Sequence, residues 1–333
     1  MDYLKRVSIR KLQQLQQPSG LFIASRKGVK TGYDRAWLRD NIYEAMGLEK
    51  AGNIEAVKRA FAAMFDVLLK QECKIDWAIR QKPDAAHKYI HARYCPKTLN
   101  EYYEEWGNKQ NDAIGAFLFK IGDLYRKGIA VIRNSNDLRI LQKLVHYLES
   151  IEYWHDKDHG MWEENEEIHA SSVGACIAGL KAVSNLVDVP EWLIEKGQEI
   201  LNWLLPRESE TKEVDLALLS LIYPYNVVNE KQRRDILSNV EKHLVRERGL
   251  IRYIGDSYYN NGKEAEWCFG FPWLARIYKD IGNMEKYKHY LLRTIQIMNG
   301  KKELPELYFG GSAVHNENTP LGWAQAMFLC ALT

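Results

Sequence analysis

Apolar residues recur at helical spacing along almost the whole chain, and that periodicity limits the fold more than any motif does. In segment 55–70, EAVKRAFAAMFDVLLK, one face carries Val57, Phe61, Met64, Phe65 and Leu68. Segment 112–126 repeats the pattern with Ile114, Phe117, Leu118, Ile121 and Leu124. The same spacing runs through 2–17, 38–51, 137–154, 170–187, 190–205, 211–222, 229–245, 265–281, 284–298 and 320–332. The pattern predicts about twelve helices. Strand signals are confined to GLFIAS at 20–25 and GLIRYI at 249–254, both short and bounded by glycine or charge.

Breakers such as Pro18-Ser19-Gly20, Asn134-Ser135-Asn136, Val189-Pro190 and Asn260-Asn261-Gly262 separate these helices. No low-complexity linker divides the chain, so residues 1–333 are expected to form one domain. Helix pairs of similar length, joined alternately by short and long loops, can close as six inner and six outer helices. The expected fold is all-α, an (α/α)6 barrel or six-hairpin toroid. Five long irregular segments, 18–37, 72–108, 155–168, 246–264 and 299–319, would then carry function, because loops on a rigid scaffold usually do.

Composition removes several function classes. The chain is 46% hydrophobic, ample for a core, and its formal net charge of +2 gives no electrostatic case for nucleic acid. The start, MDYLKRVSIRKLQQLQQ, lacks the apolar run of a signal peptide, and no stretch is apolar enough to span a membrane. Cys73, Cys95, Cys176, Cys268 and Cys330 are widely spaced, which predicts reduced thiols, a cytoplasmic protein and no zinc cluster. The run His155-Asp156-Lys157-Asp158-His159 superficially suggests a metal loop. Gly160 falls one place early for calcium and the intervening oxygen ligands are missing, so no metal and no cofactor are expected. A monomer or weak homo-oligomer is expected.

Acids and aromatics occur together in the long loops. They include Trp37, Arg39 and Asp40 in AWLRDN, Trp106 in EEWGNKQND, Trp162, Glu163 and Glu164 in GMWEENEE, Glu266 and Trp267 in EAEWCFGFPW, and Glu306 in ELPELY. Hydrolysis of a glycosidic bond needs one protonated and one ionised carboxyl. A glutamate pressed against an indole is partly desolvated, which raises its pKa. Glu163 follows Trp162 and is the better acid candidate. Each feature also has a plainer reading: Glu163–Glu167 as a solvated acidic loop, WLRDN as a helix entrance with Trp37 in the core. Glu166 and Glu167 are read as solvated, or as steering the following helix through its N-terminal dipole. The ten Trp and nineteen Tyr suit sugar rings but most will be packing. No GxSxG, GxxxxGK[ST], HExxH or GxGxxG motif is present.

Taken in order, RAWLRDN, WGNKQNDAIGAF, GMWEE, FPWLARIY and LPELY resemble glycoside hydrolase family 15, the glucoamylase family. RAWLRDNIY, IHARYCPKT, HASSVGACIAGL and LLPRESETKEVDLALLSL bring the chain closer still to the glucoamylase-like N-terminal domain of phosphorylase kinase α and β subunits. The resemblance runs from about residue 15 to the C-terminus. It implies an (α/α)6 barrel and an inverting hydrolase that releases glucose from the non-reducing ends of α-glucans or maltooligosaccharides. By position it implies Glu163 as general acid and Glu306 as general base, Arg39 and Asp40 holding the terminal glucose hydroxyls, Trp37 and Trp106 as pocket walls, and Glu164 and Glu266 as further substrate contacts. Trp162 joins the substrate-binding set. Two alternatives stand beside this: a non-catalytic glucan-binding or regulatory domain, and a trehalase.

Overall fold

The difference between helices buried all round and helices with one wet face orders this fold. The computed structural model describes residues 1–104 and 106–333. In chain order these form α1 (Asp2–Leu15), α2 (Leu38–Lys50), α3 (Ile54–Lys70), α4 (Glu72–Arg80), α5 (Asn111–Arg126), α6 (Ser135–Ile151), α7 (Ala170–Val183), α8 (Glu191–Leu204), α9 (Leu219–Ile222), α10 (Glu230–His243), α11 (Gly270–Asp280), α12 (Met284–Gln296) and α13 (Gly322–Leu332). In α13 every residue from Gly322 to Ala331 is buried, whereas α12 buries only Tyr290 and Thr294. A helix apolar on all sides must sit inside, and an amphipathic one must cover it.

The packing obeys that rule. α2 packs on α5, α5 on α7, α7 on α9, α9 on α11, α11 on α13, and α13 returns to α2, closing an inner ring. Outside it, α1 covers α13, α3 covers α2, α6 bridges α3 and α7, α8 covers α7, α10 covers α9 and α12 covers α11. This is the expected (α/α)6 barrel. Small residues let the inner helices approach closely. A Cβ on Gly115 of α5 would lie 2.3 Å from the carbonyl carbon of Ala175 in α7, and one on Gly47 of α2 would lie 2.6 Å from Cα of Ala326 in α13.

Three details differ from expectation. α4 is an added helix inside the segment expected to be a loop; it buries only Ile75 and Ala78, too narrow a stripe to stand out, and rests on α6. The helix expected over 211–222 shrinks to a 3-10 turn at Leu216–Leu218 and the short α9, because the Asp215 side chain accepts the Ala217 amide and starts the helix late. Neither GLFIAS nor GLIRYI forms a regular strand. Both are extended and tied by isolated bridges, such as Gln16 to Phe22 and Leu250 to Trp267.

Two small antiparallel pairs, β1 (Ala36–Trp37) with β2 (Arg93–Tyr94) and β3 (Glu266–Trp267) with β4 (Leu307–Tyr308), clamp the loops that enter the inner helices. The loops therefore gather where the inner helices begin, at their positive dipole ends. Among the described residues, no helix is long and apolar enough to cross a membrane.

Candidate active site

A cavity of about 320 Å³ opens among these loops. Eight of the sequence candidates line it: Trp37, Arg39, Asp40, Trp106, Trp162, Glu163, Glu164 and Glu306. Glu266 does not join them. Its carboxylate accepts the backbone amides of Arg248 and Gly311, the latter at 3.0 Å, and so pins two loops together behind the wall. A glutamate beside a tryptophan gave no signal in the sequence for choosing between these two placements.

α2 brings Arg39 and Asp40 to the cavity from its first turn. Arg39 is 2% exposed, and its Nη1 donates to Gln110 Oε1 at 2.9 Å and to Asp112 Oδ2 at 2.9 Å. Burial pushes the Asp40 carboxyl up to about 6, against the pull of the Arg39 charge.

Glu163 sits in the hairpin between α6 and α7, closed at its base by the bridge from Asp158 to Glu167. Asp158 in turn accepts the Asn111 amide at 2.8 Å and the Ser172 hydroxyl at 2.8 Å, so the hairpin is fastened to α5 and α7. Gly160 takes φ +61°, and a Cβ there would lie 2.8 Å from the His169 ring. Glu163 itself has φ +64°, which costs a residue with a side chain about 1–2 kcal/mol. Such strain persists only where the surroundings impose it. Its side chain keeps 23% of its surface accessible, and Oε1 lies 3.6 Å from Arg39 Nη2. Burial raises the Glu163 carboxyl to about 7; the Arg39 charge opposes this and Asp40 reinforces it.

Glu306 is held differently. It is fully buried, and its Oε2 accepts the side-chain amide of Asn318 at 2.7 Å and that of Asn316. Oε1 is buried and makes no geometrically formed hydrogen bond among the described residues, and Glu306 is one of the residues that line the cavity. Burial raises this carboxyl above its usual value, while the Asn318 and Asn316 amides and the nearby Tyr33 hydroxyl draw it down. The arrangement therefore contains one carboxyl raised to about 7 by burial, and a second, also raised, that two asparagine amides hold through one oxygen.

Aromatic faces make the wall. Trp162 donates its indole N–H to Asp215 at 2.8 Å and stacks on Phe269, whose ring lies 4.8 Å from that of Trp323 at an interplanar angle of 3°. Trp37 meets Trp106 edge to face at 6.1 Å. Glu164 accepts from Arg252 at 2.9 Å, Lys212 at 2.7 Å and Tyr253 at 2.7 Å, which closes one side of the cavity with a charged lattice. Glu167 is bound by Ser209 and Thr211 rather than solvated. Glu166 is exposed and reaches Lys109 only at 3.7 Å.

Sequence reasoning missed Tyr33, Arg252, Tyr258 and Trp323, all of which line the cavity. Arg252 was hidden inside an apparent strand and Trp323 inside an apparent core helix. The only available signal was their place beside long loops.

The family model described as Glycosyl hydrolases family 15 matches residues 1–266. The phosphorylase b kinase regulatory subunit alpha, skeletal muscle isoform, of Oryctolagus cuniculus is 26% identical over 343 residues, covering 83% of this chain and 27% of that protein. The probable phosphorylase b kinase regulatory subunit alpha of Caenorhabditis elegans is 26% identical over 370 residues, covering 88% of this chain and 30% of that one. The chain thus spans less than a third of the length of these relatives. Among solved structures, a wild-type glycosidase superposes with a TM-score of 0.85 at 21% identity, covering 99% of this chain and 95% of that one. The glucoamylase of Saccharomycopsis fibuligera superposes with a TM-score of 0.72 at 16% identity, covering 99% and 94%. These superpositions establish the barrel.

Proposed function

Because the chain belongs to glycosyl hydrolases family 15, we propose that it hydrolyses α-glucosides from their non-reducing ends, releasing glucose with inversion. The observation that carries this reading is the unequal pair of carboxyls on one cavity: Glu163 raised to about 7, and Glu306 held by asparagine amides with one oxygen uncommitted. In the proposed reaction Glu163 donates its proton to the glycosidic oxygen as the bond to the anomeric carbon breaks. Glu306 takes a proton from a water that attacks the opposite face of that carbon. The products are a free hemiacetal and a free alcohol, and the two carboxyls have exchanged protonation states.

Arg39 and Asp40 offer a donor and an acceptor to the hydroxyls of the terminal glucose. Trp37, Trp106 and Trp162 supply flat apolar faces for the ring. A volume of about 320 Å³ lies at the low end of ligand pockets, roughly 300–1,000 Å³, and favours a chain end over a chain passing through.

A second reading has its own support. The curated relatives are named as kinase regulatory subunits, and the Arg39 charge lies near Glu163. A domain that binds glucan without turnover would share this architecture. Trehalose is a further candidate substrate within the enzymatic reading.

The test is glucose release from maltose, maltotriose, isomaltose, trehalose and soluble starch, with Glu163→Gln and Glu306→Gln as controls. Release by the natural chain and not by either variant supports the reading and names the linkage. No release from any of them, with sugar binding retained, supports the regulatory reading.

A further inference from the structure

The hairpin that carries Glu163 has a second cavity at its base. Lys157, Glu167 and Ile168 come from the hairpin, and Trp203, Arg207 and Glu210 come from the end of α8 and the segment after it; the volume is about 450 Å³. Trp203 is 75% exposed. An indole left in water is the reverse of what folding favours, and such exposure marks binding surfaces.

The charges around it exclude most ligands. Lys157 and Arg207 offset Glu167 and Glu210, so the cavity presents no net field to an ion or a phosphate. The Glu167 carboxylate is already committed, accepting from Ser209 Oγ at 2.7 Å, Thr211 Oγ1 at 2.8 Å and the Thr211 amide at 3.1 Å. Arg207 Nη2 donates to the Glu210 carbonyl at 2.6 Å, which sets its guanidinium at the rim. The result is one flat apolar face ringed by fixed donors and acceptors of both kinds. A pyranose ring matches it: apolar C–H faces above and below, hydroxyls around the edge.

Position supports the same ligand. Segment 205–215 joins the outer helix α8 to the inner ring at the end where the loops of the first cavity gather, so both cavities are built from segments at that end of the barrel. One hairpin spans them, its base in the second cavity and its tip, Trp162 to Glu164, in the first.

We infer that the second cavity is a surface site for a neutral α-glucan chain, with Trp203 stacking on a sugar ring, and that it holds a polymer whose end enters the cleft. The identity of the sugar rests on the proposed function; the presence of a saccharide site does not.

The experiment is a calorimetric titration of the full chain with maltoheptaose, in a Glu163→Gln background so that the probe is not consumed. Two classes of site are expected, and Trp203→Ala should remove one of them while Trp203→Tyr restores it in part. In the catalytically intact chain, Trp203→Ala should raise KM for soluble starch several-fold and leave glucose release from maltose unchanged. Maltoheptaose binding that is the same in stoichiometry and affinity with and without Trp203 overturns the inference. If the natural chain hydrolyses no saccharide, the titration still decides: binding lost on Trp203→Ala sustains the surface site while the hydrolase reading falls. Trp203 is exposed and supports no core packing, so its replacement should leave the fold intact.

Discussion

The Glu163 carboxyl lies 3.6 Å from the Arg39 guanidinium, yet Arg39 makes its shorter bonds elsewhere, to Asp112 and Gln110, each at 2.9 Å. Asp112 therefore absorbs much of a charge that would otherwise hold Glu163 ionised. Burial then wins, and the Glu163 carboxyl rises to about 7. An acid that keeps its proton near neutrality is what protonation of a leaving oxygen requires.

Glu163→Gln keeps the shape and removes the transferable proton. Hydrolysis should fall by about 10²–10⁴-fold, the usual contribution of general acid catalysis. The thermal midpoint should stay near that of the natural chain. Glucose release and circular dichroism melting, run side by side, check both statements.

The pH profile follows from the same two groups. In the proposed reaction Glu163 acts only when protonated, so kcat/KM should decline as pH rises through about 7. Asp112→Asn frees Arg39 to pair with Glu163. An opposite charge nearby lowers a carboxyl by about 1–3 units, so the alkaline limb should move down by about one unit or more. An alkaline limb unmoved by Asp112→Asn would separate Glu163 from that limb.

Asn318 donates to Glu306 Oε2 at 2.7 Å. A hydrogen bond to a charged group contributes about 1.5–3 kcal/mol, and one pH unit corresponds to about 1.4 kcal/mol. Asn318→Ala should therefore raise the pKa of Glu306 and shift the acid limb of kcat/KM upward by about one unit. An Asn318→Ala profile superimposable on the natural one rules out this assignment of the acid limb.

Close approach of α5 and α7 depends on Gly115. Gly115→Val places two methyl groups where the Ala175 backbone already stands, and overpacking of this kind costs about 1–3 kcal/mol. The denaturation midpoint should fall accordingly, without a change in the slope of the unfolding transition.

His169 is buried, with Nδ1 at 3.5 Å from Glu208 Oε1. Burial alone would lower its pKa; the bond to Glu208 and the charge of Asp158 outweigh it and raise it to about 9. A pKa raised above the unfolded value near 6.5 adds stability that is complete below that value and is lost as pH rises toward about 9. Unfolding free energy should decline across this window, and His169→Gln should flatten the decline.

Much of the barrel was legible in advance because helical periodicity is a local property. Segments 55–70 and 112–126 each display a stripe that no neighbour is needed to recognise. The exceptions are local too: α4 has too few apolar positions to register, and the Asp215 cap shortens the helix expected at 211–222. The acidic and aromatic loops were legible as clusters because residue type is visible in a sequence.

Placement was not. Glu266 and Glu306 both stand beside bulky neighbours in loops, yet Glu306 faces the cavity and Glu266 holds two backbone amides behind it. Arg252, Tyr33 and Trp323 reach the same cavity from segments far apart in the chain. The order of helices, the all-α class and the candidate acids were set by the sequence alone, through periodicity and composition. How far burial raises each carboxyl, and which of its oxygens has a donor, was decided only by tertiary structure, because desolvation and the count of donors around a carboxylate are properties of the whole packed neighbourhood.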